Sequence, residues 1–324
     1  MAGKNATPGD KRERGSMMEF PTPHVEKLKA IHESNKLPQN DIVQIEKTIE
    51  YYEQWIASMN AIIVSNMSYN EKLQNMVMSL NEYRLHIDID LVFASREDWL
   101  YREKGQIKLD NSVIEEFLPR LVYACLKDQI IRSNALIGPT KAFSAVWFDS
   151  NLVKPEKGGG MKIRTKDQDF AISKPLYLRA SDAPDFRNAV TEATNLAYVA
   201  AECKTNLDKT MFQEACATAG DLKAAIPGAK YFLLCEWLDM SPISSDITPI
   251  DKVYILRKAK RLNSNIRGKF RTFKGRQSYR QFYSDFLHEH PVQADILDLF
   301  LHEVKQLLEN EALDEKTALE RGFF

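Results

Sequence analysis

The stretch LAYVAAECK, residues 196–204, decides how the surrounding sequence is interpreted. Its residues are small or apolar until charge appears at the end, which is typical of a buried strand that emerges at the rim of a sheet. Side chains two apart on a strand project to the same face. Glu202 and Lys204 are therefore predicted to lie side by side, with Cys203 between them pointing into the core.

The segments around this strand predict an α/β sandwich, in which helices flank a mixed sheet. Extended segments are expected at AFSAVWF (142–148), at MKIRTKDQDFAI (161–172) continuing through PLYLRAS, and at AKYFLLCEWL (229–238). Between the last two strands, LDKTMFQEACATAGDLKAAI has helical character and begins with Asp208 as a cap.

The pattern of polar and apolar residues divides the chain into four predicted regions. Residues 1–20 are polar and are expected to form a disordered tail. Residues 21–135 are expected to be helical, because apolar residues recur at helical spacing in runs such as DIVQIEKTIEYYEQWIASMNAII. Residues 136–240 hold the predicted sheet, and residues 241–324 are predicted to form a basic segment followed by a C-terminal helix.

Composition excludes several classes of protein. The chain has 324 residues, 44% of them hydrophobic, and a net charge of −1, so a nucleic-acid partner can be indicated only by local charge. The four cysteines lack CxxC spacing, so we expect reduced core residues of a cytosolic protein and no zinc site. No apolar run approaches the roughly 20 residues that span a bilayer, and no membrane partner is expected.

The pair Glu202 and Lys204 suits the hydrolysis of a phosphodiester. Carboxylates can hold Mg²⁺, which offsets charge on the phosphate and acidifies water, and a lysine can orient the attacking water. The carbonyl of Cys203 could supply a further oxygen ligand. Two similar tripeptides, at 221–223 and 303–305, lie in predicted helices, where residues two apart do not face each other.

A second acid is expected on the neighbouring strand, and three aspartates compete for the position. Asp169 opens the apolar run DFAI and is preferred. Asp185 lies in the polar stretch RASDAPDFRNAV, where an aspartate more often caps a helix, and Asp167 is the weakest candidate. For Glu115 and Glu116 on the preceding helix, a solvated helix face is the preferred interpretation, and a role as an additional metal ligand is the alternative.

A basic run occupies residues 252–283, where every charged side chain between Lys252 and Arg280 is Lys or Arg. Because the net charge of the whole chain is slightly negative, this local concentration of positive charge indicates contact with DNA phosphates. The predicted DNA-binding residues are Arg257, Lys258, Lys260, Arg261, Arg267, Lys269, Arg271, Lys274 and Arg276.

Four stretches together resemble the BbvCI-like group of type II restriction endonucleases, which belongs to the PD-(D/E)xK superfamily. They are DFAISKPLYLRAS, AYVAAECKTNLDKTMFQEACATAGDLK, AKYFLLCEWLDMSPIS and ILRKAKRLNSNIR, and the likeness covers roughly residues 140–270.

The resemblance implies site-specific cleavage of double-stranded DNA with Mg²⁺, leaving 5′-phosphate and 3′-hydroxyl ends. It also implies that Glu202 and Lys204 are catalytic, that Asp169 is the first acid, and that Asp169, Glu202 and Cys203 hold the metal. A second nuclease subunit is expected as well, because some enzymes of this group are homodimers and others combine two different subunits.

Three hypotheses follow for the function. In the first, the chain is a complete site-specific endonuclease, and in the second it is a subunit that cuts one strand and needs a companion. A third hypothesis is a helical interaction protein that binds DNA without catalysis, but it leaves the strand-end pair of Glu202 and Lys204 unexplained. The nuclease hypothesis requires that Glu202 lie close to Asp169 or Asp185.

Overall fold

The computed structural model describes residues 18–309 together with residues 319, 320 and 322. All but the last three residues of the predicted tail at 1–20 lie outside this part of the chain. Within it, none of the helices is long and apolar enough to cross a bilayer.

The first third of the described chain is helical, as the apolar spacing predicts. The helix α2 buries Ile45, Tyr52 and Met59 along one stripe, and a capping box between Ser68 and Glu71 starts α3. The elements are α1 (Pro23–His32), α2 (Gln39–Val64), α3 (Tyr69–Leu85) with a π-helical extension (His86–Phe93), α4 (Trp99–Glu103) and α5 (Leu109–Ser133).

The helix α5 is buried on nearly every side, unlike the helices before it. Residues 112–124 are all buried, so the helix lies between the other helices and the sheet, against which it packs. Pro119 lies inside the helix, whereas the non-helical dihedral angles occur at Leu126 (φ −126°).

A five-stranded mixed sheet follows, which confirms the predicted fold class. Its strands are β1 (Leu136–Phe148), β2 (Met161–Ala180), β3 (Val190–Leu207), β4 (Lys230–Leu238) and β5 (Lys252–Lys260), in the order β1-β2-β3-β4-β5. The first three strands are antiparallel neighbours, and β3, β4 and β5 run parallel. The helix α6 (Lys209–Ala225) connects β3 to β4, and Asp208 caps it by accepting a hydrogen bond from the Met211 amide (2.9 Å).

The sheet extends past residue 240, where the sequence suggested a boundary. The first part of the basic run forms β5, because it contains the apolar residues 253–256, of which Tyr254 and Leu256 are buried and Val253 and Ile255 are half-buried. Up to residue 309, three more helices follow: α7 (Ser264–Lys269), α8 (Phe273–Glu289) and α9 (Ala294–Glu309). One apolar core joins the helical region to the sheet, and it includes Phe117, Phe170 and Phe300.

Candidate active site

Asp169, Glu202 and Lys204 meet at the adjoining ends of β2 and β3. Phe170 pairs with Ala201, so the antiparallel register sets Asp169 opposite Glu202, with both side chains on the same face. Asp169 Oδ2 accepts a hydrogen bond from the Cys203 amide (2.9 Å). Lys204 Nζ lies 3.3 Å from Glu202 Oε2. The structure therefore brings together the three residues that the sequence singles out for catalysis.

A β-bulge lies at the first acid. Gly138 pairs with Ala171 and Thr140 with Gln168, so Asp169 and Phe170 together oppose the single residue between them on β1. An extra residue of this kind bends a strand and redirects its side chains, and bulges are common beside active sites. Here, Gln168 and Asp169 are adjacent at the bulge, and both line one cavity.

Asp185, the alternative first acid, lies far from Glu202. It is exposed in the turn that joins β2 to β3, and its nearest ion pair is with Arg187 (3.7 Å). The β2–β3 ladder runs from Phe170–Ala201 to Ala180–Val190. Ten residues of strand at about 3.3 Å each separate the two ends by roughly 30 Å, so only Asp169 can share a ligand with Glu202.

The electrostatics of the centre keep Lys204 charged. Burial acts to lower the pKa of Lys204, but the negative charges of Glu202 and Asp169 outweigh it and raise the pKa. Burial raises the pKa of Asp169, while the hydrogen bond from Cys203 and the charges of Lys108 and Lys204 oppose the shift. On β4, burial and then the charge of Glu202 raise the pKa of Tyr231.

Glu115, on α5, is a further acid at this site. It is 8% exposed, and burial followed by the charge of Asp169 raises its pKa to about 7. Its Oε1 has no hydrogen-bond partner among the described residues. The preferred expectation of a solvated face is wrong, because α5 is buried between two layers. The signal in the sequence was a pair of acids inside the apolar run VIEEFLPRLV.

Glu116 is also buried, but its partners give it a structural role. It accepts hydrogen bonds from the Tyr52 hydroxyl and from the His24 amide (2.9 Å), and it pairs with Arg120 (3.4 Å). These contacts tie α5 to α1 and α2. The expectation of a solvated face is therefore wrong for Glu116 as well.

The site contains oxygen ligands of the kind that Mg²⁺ prefers. Asp169, Glu202 and Glu115 each supply a carboxylate near the strand ends, and the unpartnered oxygen of Glu115 leaves one acceptor free. In the described part of the chain, no three Asp, Glu, His or Cys side chains converge into a ready-made metal cage. A cation here would therefore depend on backbone and solvent oxygens in addition to the side chains.

Two cavities border the centre, one at Asp169 and the other at Lys204. One, of about 840 Å³, is lined by Glu115, Gln168 and Asp169, by the charged residues Lys141 and Asp167, and by polar and apolar residues of β1, β2 and β3. The other is a cleft of about 420 Å³ beside Lys204. The cationic residues that line this cleft are Arg102, Lys104, Lys108, Lys204, Arg261, Arg267 and Arg271.

The predicted DNA-binding residues fall into separate groups. Arg261, Arg267 and Arg271 line the cleft, while Lys260, Lys269 and Lys274 are exposed. Lys258 is exposed too, but it pairs with Asp295 on α9 and does not line the cleft. The cleft also contains Arg102, Lys104 and Lys108, which precede the basic run in sequence and which sequence reasoning missed.

The prediction is wrong for Arg257 and Arg276, which are 3% and 0% exposed. Arg257 Nε donates to Glu236 (2.8 Å), and its Nη1 donates to the His290 carbonyl (2.8 Å). Arg276 donates to the backbone carbonyls of three residues, Ser95, Glu97 and Phe270. Both guanidinium groups are used inside the fold, so neither can reach a phosphate.

A buried network of ion pairs lies beneath the cleft. Arg84 contacts Asp88 (3.2 Å), Asp110 (3.3 Å) and Glu236 (3.0 Å). Lys104 pairs with Asp110 (2.8 Å), and Arg257 completes the pairing of Glu236. Three cations therefore meet three anions, and the network joins α3 and α5 to β4 and β5.

A solved structure shares this fold. It is described as "native BbvCI A2B2 tetramer at low resolution", and it matches 91% of this chain and 100% of its own chain at 20% identity and a TM-score of 0.57. At that identity, the likeness concerns the fold. No curated protein sequence matches the chain.

The family profile described as "Bpu10I restriction endonuclease" matches residues 106–324. The match starts just before α5 and includes Glu115, Asp169, Glu202, Lys204 and the basic run, whereas α1 to α4 precede it. It confirms the resemblance to type II restriction endonucleases drawn from AECKTNLDKTMFQEA. The chain therefore belongs to the Bpu10I restriction endonuclease family.

Proposed function

We propose that this chain is a type II restriction endonuclease that hydrolyses DNA phosphodiesters at Asp169, Glu202 and Lys204 with Mg²⁺. The observation that carries the proposal is the meeting of these three side chains at the ends of β2 and β3, next to a cationic cleft. The arrangement supplies two acids for a divalent ion and one ammonium for a phosphate.

Asp169, Glu202 and the carbonyl of Cys203 would hold the Mg²⁺, with Glu115 beside them as an additional acid. The donor set is all oxygen, which fits Mg²⁺ and not a thiolate-binding metal. When bound, the ion offsets charge that develops on the phosphate and lowers the pKa of water.

The chain's own residues orient the reactants. Lys204, held charged by its two acidic neighbours, would neutralise the scissile phosphate and donate a hydrogen bond to the attacking water. The water oxygen bonds to phosphorus, the bond from phosphorus to the 3′ oxygen breaks, and that oxygen gains a proton as the water loses one. The products are a 5′-phosphate and a 3′-hydroxyl end.

Double-stranded DNA is the proposed substrate, and its scissile strand would lie in the cleft beside Lys204. Lys108, Arg261, Arg267 and Arg271 line this cleft, and their charges suit the phosphates of one strand. Release of counterions by such contacts makes the affinity fall as salt rises.

The decisive experiment is incubation of the purified chain with a sequenced plasmid and Mg²⁺, followed by mapping of the cut ends. Glu202→Gln and Lys204→Met are expected to abolish cleavage while specific binding to DNA remains. Glu303→Gln is the matched control, because Glu303 stands in the same tripeptide pattern but lies on α9 and pairs with Lys252. Cleavage by either site variant at the rate of the control would refute the assignment.

A second candidate function is a subunit that cuts only one strand. The similar structure is described as an A2B2 tetramer, and we propose by analogy that this chain also acts with a second nuclease subunit. Supercoiled plasmid distinguishes the two functions. A complete enzyme gives linear DNA, whereas a subunit that cuts one strand gives nicked circles until its companion is added.

A further inference from the structure

Two buried oxygen atoms in the cavity beside Asp169 lack hydrogen-bond partners among the described residues: Gln168 Oε1 and Glu115 Oε1. Gln168 is 3% exposed and Glu115 is 8% exposed, so bulk water does not satisfy them. An unpaired buried acceptor is costly, and a native structure that keeps one needs a reason for it. Two such atoms in one cavity indicate a missing donor.

The amide of Gln168 has a definite orientation. Its Nε2 donates to the Asp167 carbonyl (2.9 Å), and the reversed amide would place two acceptors against each other. The free atom of Gln168 is therefore an acceptor. Backbone pairing of Gln168 with Thr140 on β1 holds the residue in place.

This amide lies beside the first acid. Gln168 and Asp169 are adjacent on β2 at the bulge, and both line the cavity that Glu115 of α5 also lines. A neutral acceptor and a carboxylate therefore share one space next to the first acid. A water molecule fits this pair, because it has two O–H groups and is small enough for a shielded position.

We propose that Gln168 and Glu115 together hold the attacking water of the hydrolysis, in an inference that rests on the proposed function. The two O–H groups of the water point to Gln168 Oε1 and to Glu115, and Lys204 donates to its oxygen. The cleft beside Lys204 is lined by seven cationic residues and this cavity by one, Lys141, so the DNA strand is placed in the cleft and the water in this cavity.

Gln168 is a positioning residue in this arrangement. As the water oxygen bonds to phosphorus, one proton of the water passes to solvent, the bond to the 3′ oxygen breaks, and that oxygen takes up a proton. Gln168 exchanges no proton and only fixes the direction of the water. Misplacing a reactant by about an ångström can cost roughly a hundredfold in rate.

Gln168→Met tests the proposal, because methionine keeps the length of the side chain and removes the acceptor. Thr165→Val is the matched control, since Thr165 lies on the same strand and lines the same cavity. For both variants, we would measure the melting temperature, the affinity for DNA in Ca²⁺ and the single-turnover cleavage rate in Mg²⁺.

For Gln168→Met, we expect the cleavage rate to fall by at least about tenfold, while the affinity for DNA stays within threefold of wild type. The melting temperature should not fall, because the substitution removes an unpaired buried oxygen. The control should cleave within threefold of wild type. A fall smaller than tenfold, or one that accompanies a loss of melting temperature or of affinity, overturns the inference. If wild type does not cleave at all, the proposed function fails instead.

Discussion

Buried charged side chains are paired differently in two regions beside the same cleft. Beneath the cleft, Arg84, Lys104 and Arg257 are matched by three acids at salt-bridge distance. At the ends of β2 and β3, Lys204 faces three acids, and Glu115 keeps an oxygen that no described residue satisfies. Buried ions at salt-bridge distance from opposite charges hold a fold together, whereas Glu115 has no cation at that distance among the described residues and can accept a ligand.

The largest expected effect is the loss of stability when the buried network of ion pairs is broken. Arg84→Met removes a cation shared by Asp88, Asp110 and Glu236, so only Lys104 and Arg257 remain to pair with three buried acids. Removal of one member of a buried ion pair costs about 3–5 kcal/mol of unfolding free energy. Urea unfolding measures this. Arg102→Met is the matched control, because Arg102 forms a similar pair with Asp98 (3.3 Å) but its side chain is 65% exposed. An exposed pair contributes roughly 0–1 kcal/mol, so equal losses in the two variants would contradict the distinction.

The next effect separates two adjacent acids on α5. Glu115→Gln is expected to lower the single-turnover rate about a hundredfold, a cost of about 2.7 kcal/mol, without loss of stability. Glu116→Gln should instead destabilise the fold, because it removes the charge that pairs with Arg120 and accepts from Tyr52. Cleavage and unfolding are measured on the same preparations. A Glu115→Gln enzyme that cleaves like wild type would remove Glu115 from the active site.

A smaller effect concerns His24, a buried base with neutral partners. Its ring nitrogens lie near the Ser112 hydroxyl (2.9 Å) and the Tyr83 hydroxyl (2.8 Å). Burial, and then the charge of Arg84, lower the pKa of His24 to about 3. In the unfolded chain, the pKa of His24 has its ordinary value of about 6.5. Between pH 6.5 and 3, His24 is therefore protonated in the unfolded chain but not in the folded chain, and the free energy of unfolding falls as the pH is lowered through this range.

From pH 7 to pH 5, this linkage is expected to remove about 2 kcal/mol of unfolding free energy. Denaturant unfolding at both pH values measures the change, and His24→Gln should reduce it by that amount. An unchanged pH dependence in the variant would show that His24 does not titrate in this way.

The smallest expected effect separates residues within the basic run. Arg271→Ala should weaken DNA binding about three- to tenfold, equally for all sequences, and should reduce the slope of log affinity against log salt by about one. Lys258→Ala is the control, because Lys258 pairs with Asp295 away from the cleft. Equal losses of affinity in the two variants would contradict the placement of DNA in the cleft.

The sequence predicted the strand that carries Glu202 and Lys204 because burial and charge leave a local pattern along a strand. It favoured Asp169 but left Asp185 open as the first acid, since the choice depends on the β2–β3 register, which separates Asp185 from Glu202 by roughly 30 Å. Glu115 was misjudged because burial on all sides removes helical periodicity. Arg257 and Arg276 were misassigned because the sign of a charge does not show which way its side chain points.

The meeting of Asp169 with Glu202 and Lys204 is tested most directly by single-turnover cleavage with Asp169→Asn and Asp185→Asn in parallel. Each substitution removes one negative charge at nearly constant shape, in one case at the strand ends and in the other in an exposed turn. Asp169→Asn is expected to abolish cleavage while Asp185→Asn cleaves like wild type. Cleavage retained by Asp169→Asn, or lost in Asp185→Asn alone, would contradict the account.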